Sequence, residues 1–323
     1  MQRYVFAVRE RPYCLWGYDL HRENEAFLRS FDPAYFGYLA QLYLDHLEGE
    51  NTSKAAIGLR AAYHHGLEAL FSLLGALAQA PRAVPAWIPK CGNSDLRALV
   101  EDISAGTTLL TPLGRQRVTW VALSHTVFAN VWRDENPEWA TAERFARCWS
   151  RFARDYVDQL HTDEYNSIKH GFRISSGGAV LRIGLEPSYG VSPPESEMRT
   201  IGASPHGTNF SALAPIPAED RKSPHIKYHR QRLNWRAEAM IQALQLISWS
   251  LSNIVGCLRI ANGATPGTVR FDRPEDPAVF EGPWNWPVGV TSGAMNVLVE
   301  DADVDQISVE ALRHELEART DTG

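Results

Sequence analysis

NTSKAAIGLRAAYHHGLEALFSLLGALAQA, residues 51–80, reads as one long helix almost free of charge. Apolar side chains recur every three to four positions, Asn51, Thr52 or Ser53 supplies an N-cap, and Pro81 stops the run. Its polar residues form one cluster: Arg60, His64, His65 and Glu68. Ionised and imidazole side chains inside an apolar helix cost free energy unless they are partnered. The cluster therefore has buried partners or does chemistry. A second polar knot, DEYNSIKHG at Asp163–Gly171, closes another long helix. The expectation is that these two helices face each other and that their polar residues form the site.

Composition sets the class. With 323 residues, 44% hydrophobic and 22% charged, the chain is that of a folded globular protein. A net charge of -6 argues against a globally basic nucleic-acid binder, while leaving a local basic groove open. Cys14, Cys91, Cys148 and Cys257 are far apart and form no CxxC pair, so reduced thiols are expected rather than disulfides or a zinc site. No basic-then-apolar leader occurs, and no uninterrupted apolar run reaches about 18 residues. A soluble, cytoplasmic protein without a membrane partner is expected.

Outward from residues 51–80, positions 2–20 are aromatic and β-branched and suggest an extended segment or short hairpin. Asp32-Pro33 opens a helix through Glu50. PRAVPAWIP at 81–89 reads as a rigid loop anchored by Trp87. Helices follow from Ser94 or Asp95 to Ile103, over 115–132 with His125 as a core residue, and from Pro137 to about His170. FRISSGGAVLRIGLE at 172–186 reads as a hairpin turning at Gly177-Gly178, and a strand pair is expected at 198–204 and 208–214. Residues 221–236 are basic with Tyr228 and Trp235 interleaved: a surface loop and helix start, or an RNA clamp. A final core helix is expected at 228–262. Residues 264–297 are rich in Pro, Gly and Trp, and the acidic remainder holds a helix near 308–318.

The 137–170 helix has two legible faces. Phe145, Trp149, Phe152, Tyr156 and Leu160 form an apolar stripe, and Arg144, Arg147, Arg151 and Arg154 a basic one. The basic stripe is either a solvated face or a ridge that tracks phosphates. In the first knot Arg60, His64 and Glu68 share a face, and His65 points away from it. In the second, Asp163, Asn166 and His170 share a face. An Arg, one or more His and an Asn are a sufficient kit for cleaving RNA without metal. A neutral imidazole removes the ribose 2′-OH proton, and a guanidinium holds the phosphate and its developing charge. In this scheme His65 is the base, with His64 as a further catalytic candidate, Arg60 the phosphate contact, and Asn166 and His170 support them. Lys169, Arg173 and Arg154 are candidate substrate contacts. A structural ion-pair network at Arg60, His64 and Glu68 stays open beside it.

The Arg60–His65 spacing resembles the Arg-x(4–6)-His signature of the HEPN superfamily (higher eukaryotes and prokaryotes nucleotide-binding domain). YNSIKHG at Tyr165–Gly171 is similar to segments of bacterial HEPN-like proteins. The resemblance covers about 25–262. It implies a helical bundle, a homodimer, and metal-independent endoribonuclease activity, or an inactive relative, in toxin–antitoxin or phage-defence settings, with RNA as substrate and an antitoxin or other protein as partner. The chain departs from the pattern at Ala61, where a polar residue commonly follows the Arg. It departs again in the early position of the motif and in the insertion after Gly171.

The expected fold is mainly α: a bundle of five to seven helices, with an extended segment at 1–24, a helical domain at 25–262 carrying a β-hairpin insertion at about 172–214, and a C-terminal extension at 263–323. Two other function classes remain beside the ribonuclease. One is a non-enzymatic helical binding or assembly module that uses the Trp-rich tail. The other is a metal-dependent hydrolase drawing on His64 or His65, Glu68, His161, Asp163 and Glu164. The leading reading needs no cofactor and no metal ligand.

Overall fold

A computed structural model describes residues 2–17, 19–129, 131, 136–178, 180–216, 225–286, 303–304 and 307–320. The chain opens with an antiparallel hairpin, β1 (Gln2–Val8) and β2 (Arg11–Gly17). Three helices follow: α1 (Leu20–Ser30), α2 (Tyr35–Leu44) and α3 (Thr52–Gln79). At 28 residues, α3 is about 42 Å long and is the axis on which the other elements pack. Next come α4 (Val84–Lys90), α5 (Asn93–Ala105), the hairpin β3 (Thr108–Thr111) and β4 (Gly114–Arg117), α6 (Trp120–Phe128), α7 (Asn136–Val157) and α8 (Gln159–Lys169). A β-rich insertion holds β5 (Ile174–Ser176), β6 (Val180–Ile183), β7 (Arg199–Ala203), β8 (His206–Ile216) and β9 (His225–Trp235). It is followed by α9 (Ala237–Ala261), β10 (Asp303–Val304) and α10 (Val309–Thr320).

The mainly α class holds, with ten α-helices among the described residues against the five to seven expected. The core lies between α3 and α9. Leu59, Leu67, Leu70 and Leu74 of one helix and Leu244, Ile247, Leu251 and Ile254 of the other are each 0% exposed. α9 is long and apolar enough to cross a membrane by length and composition. However, 72% of its most apolar window is buried inside the protein, as in a core helix.

Several expectations need correction. Residues 81–89 are not wholly a loop. α4 forms there because Pro85 falls in its first turn, where no donor is needed, and Pro89 near its end. Trp87 is fully buried and donates from Nε1 to the Ala7 carbonyl at 2.8 Å, so it is the anchor expected of it. The 115–132 helix begins only at Trp120, capped by Thr119, because 114–117 pairs with 108–111. The helix after Pro33 ends at Leu44 rather than Glu50.

The single helix expected over 137–170 is two. Asp158 adopts extended backbone (ψ 131°), and its carboxylate accepts from the His161 N–H at 3.1 Å, capping α8. Phe145, Trp149 and Phe152 are fully buried, as their spacing implies.

The insertion pairs differently from the local reading. The chain turns at Gly177-Gly178, but β5 pairs with β8, and β6 with β7. A Cβ on Gly178 would lie 1.7 Å from the Ser204 carbonyl oxygen, so the backbone crosses 204–206 closely and the two strands diverge into different sheets. Residues 225–235 are strand, paired along their length with β8, so the last core helix starts at Ala237 and not near 228. Residues 221–224 of the basic stretch lie outside the described residues, as do 287–297 of the Trp-rich stretch. Within the C-terminal extension, Pro277–Trp284 packs on α7, whereas β10 pairs with β9 and α10 is exposed. Phe280 meets Phe145 edge-on at 4.9 Å, and Trp284 meets Phe152 at 5.3 Å.

Candidate functional site

The break at Asp158 directs α8 against α3, and the two polar knots meet. Arg60 and His64, one turn apart on α3, both engage Glu164 of α8. Arg60 donates to Glu164 Oε2 from Nε at 2.9 Å and from Nη2 at 2.6 Å, and His64 Nε2 lies 2.8 Å from the same oxygen. The Thr208 hydroxyl of β8 donates to Oε1. The guanidinium also reaches Met240 Sδ at 3.3 Å and lies over the rings of Tyr63 (5.3 Å) and Trp235 (5.7 Å). A carboxylate can only accept here, so His64 carries its proton on Nε2. Nothing in this knot is open: Arg60 is 1% exposed, His64 5%, and Glu164 and Thr208 0%.

The electrostatics are those of a closed pair. Burial by itself pushes the Glu164 carboxyl up, but the Arg60 guanidinium and the His64 hydrogen bond outweigh it and hold the group well below the usual carboxylate range. Burial, then the nearby Arg60 charge, lowers His64. His161, its ring 6.0 Å from that of His64, is lowered by the same two causes to about 3. Behind them the Tyr63 hydroxyl donates to Asp155 at 2.5 Å, and burial raises both groups.

The other side of α3 is open. His65 is exposed and sits edge-on to Phe36 at 5.4 Å. Glu68 accepts from the Tyr165 hydroxyl at 2.7 Å and lies 3.4 Å from the Lys169 ammonium, while the Tyr165 ring stacks on His64 at 5.1 Å. His65, Glu68, Tyr165 and Lys169 line a groove of about 720 Å³. Its floor is the small-residue face of α3 from Gly58 through Ala61, Ala62 and Ala69 to Ser72, and Tyr35, Leu39 and Tyr43 of α2 wall one side. Gly58 is required there, since a Cβ would fall 2.4 Å from the Tyr43 ring.

The predicted set is thus divided. Arg60 and His64 are joined and sealed by Glu164. His65 and Lys169 share the groove with Glu68 and Tyr165. Asn166 (half-buried), His170 (exposed, at the C-cap of α8), Arg173 (exposed) and Arg154 (exposed, on α7) are not part of its lining. As a phosphate contact Arg60 is displaced, because its fork is committed to a buried carboxylate. The basic stripe is likewise interrupted: Arg151 pairs with Glu281 and lies 4.7 Å over Trp284. Sequence reasoning assigned no role in the leading scheme to Glu164 and missed Thr208, Trp235 and Met240. Glu164 was legible as polar, but Arg60 and His64 lie 104 and 100 positions away and Thr208 lies 44 away. For the metal-dependent alternative, no three His, Cys, Asp or Glu side chains are grouped to hold an ion among the described residues. Comparisons with protein-family models, with curated proteins and with solved structures return no match for this chain.

Proposed function

We propose that the protein is a non-hydrolytic helical binding module that takes an amphipathic helix of a partner protein into the groove on α3. The observation that carries this is the division of the polar residues: the permanently charged fork of Arg60 is sealed, and the exposed His65 and Lys169 edge an aromatic-walled groove. From Gly58 to Leu73 the floor covers fifteen helical steps, about 22 Å, the length of a four-turn helix. Ala61, Ala62, Ala69 and Ser72 on the floor admit a close-lying backbone. Tyr35 of the wall is 44% exposed, and Tyr38 (63%) and Leu42 (37%) of the same helix leave further apolar surface outside the lining. The paired Glu68 and Lys169 give one polar end that fixes orientation.

The test is selection from a displayed library of amphipathic peptides about 16 residues long, followed by titration against Ala61→Trp, which fills the groove. Enriched peptides with apolar residues one turn apart, weakened at least about tenfold by Ala61→Trp, are expected. No enrichment, or binding indifferent to Ala61→Trp, contradicts the reading.

Metal-independent cleavage of RNA is the second reading, supported by the exposed His65 beside Lys169 in one open groove. It would use His65 as base and Lys169 as phosphate contact, without Arg60. RNA products ending in 2′,3′-cyclic phosphate, formed in chelator and lost in His65→Ala, would favour it over the binding module.

A further inference from the structure

A second cavity, of about 800 Å³, opens at the other end of α3, between β1, the β3–β4 hairpin, α6 and the end of α9. That volume is in the range of small-molecule sites. Its inner wall is aliphatic: Leu77, Ala80, Ala83, Val118 and Leu123 are all buried. Tyr4 is the one aromatic residue in the lining among the described residues, so a planar ring system finds little to stack on. At the mouth, Val5 is 63% and Leu113 83% exposed, apolar surface left uncovered.

The rim is cationic and uncompensated. Arg3 of β1, Arg82 of the α3–α4 turn and Arg117 of β4 line the cavity, and among the described residues no Asp or Glu does. Neighbouring arginines on the same hairpins are neutralised: Arg9 by Asp102, Arg11 by Asp95 and Arg115 by Glu10. Among the described residues Arg3, Arg82 and Arg117 make no ion pair, and Arg117 is steadied by donating from Nε to the Gly106 carbonyl at 3.1 Å. Three guanidiniums brought to one mouth from three elements, in a chain of net charge -6, favour an anion there.

We infer that this cavity binds a monomeric aliphatic anion, its chain against the Leu77–Leu123 wall and its carboxylate or phosphate head on the arginine rim. The groove of the proposed function plays no part in this, so the two readings fail independently. The experiment titrates the whole protein with dodecanoate and dodecyl phosphate below their micelle range, with octanoate, decanoate and dodecanol alongside. Saturable binding of either head group is expected, with affinity rising about fourfold per methylene and falling as salt is added. Dodecanol should bind at least about tenfold more weakly. The double variant Arg82→Gln/Arg117→Gln, on the solvent-exposed rim, should lose about as much. Ala122→Trp, at an exposed position of the lining, fills the cavity and keeps the charges, and should abolish binding. Three results overturn the inference: dodecanol binding as tightly as the anions, both variants binding like the parent, or attachment to phosphatidylglycerol vesicles with no saturable binding of either monomeric anion.

Discussion

Arg60, His64 and Glu164 behave as one group. An isolated guanidinium, imidazole or carboxylate would be intolerable at 5% exposure or less. Together they satisfy one another, with Thr208 completing the carboxylate. The pH dependence of stability follows with a definite sign. His64 and His161 are held neutral in the fold, whereas in the unfolded chain they take up protons near their ordinary 6.5. Below that pH the unfolded state binds more protons, so stability is full above 6.5 and falls as pH falls. From 6.5 to about pH 5, His161 alone accounts for a loss of about 2 kcal/mol. Glu164, whose folded value is depressed, adds to the loss below its ordinary 4.5, and the raised Asp155 acts in the opposite direction. Urea unfolding between pH 8 and pH 5 should show this decline, and His161→Gln should flatten it. A pH-independent midpoint would contradict it. The shared face of Arg60 and His64, and the divergence of His65, were legible because helical spacing is local. Glu164 as their common partner was not, because nothing within α3 or α8 states the register in which the two helices meet.

At the scale of elements, the break between α7 and α8 decides whether Glu164 reaches α3. Asp158 makes that break by capping α8, and a chain in one continuous helix would carry Glu164 elsewhere. Asp158→Ala should cost about 1 kcal/mol, measured by urea unfolding, and Asp158→Asn should recover most of it. Equal stability of all three would show that the cap is idle. Similar competition explains the other differences from the sequence reading. Pro85 and Pro89 suggested a loop, yet Pro85 stands in the first turn of α4, where the missing N–H matters little, and Pro89, one residue from its end, forfeits a single bond. Residues 225–235 resemble the start of a helix until β8 is present to pair with them, since strand formation rests on a partner remote in sequence. The β5–β6 segment shows the same thing at a turn: the glycines were visible, but the strands that claim each arm were not.

At the scale of the whole molecule, one core joins α3, α9 and α7, and Pro277–Trp284 of the C-terminal extension closes over α7. Phe280 is 4% exposed against Phe145, so Phe280→Ala should destabilise by about 3–5 kcal/mol. A loss under about 1 kcal/mol in chemical unfolding would mean the extension is only loosely attached. The helical class, the apolar stripe of α7 and the packing of the extension could be read from periodicity and composition. The separation of a sealed ionic knot from an open groove could not, because it depends on which two of several polar faces are buried when the helices assemble. That separation is the central claim, and a double-mutant cycle between Arg60 and Glu164 tests it most directly. Arg60→Met and Glu164→Leu should each cost about 3–5 kcal/mol in urea unfolding, with the double variant less costly than either, because neither charge is then left alone in the core. If the two losses simply add, or if Arg60→Met leaves stability unchanged while abolishing RNA cleavage, the buried pair is not the keystone described and Arg60 belongs to a working site.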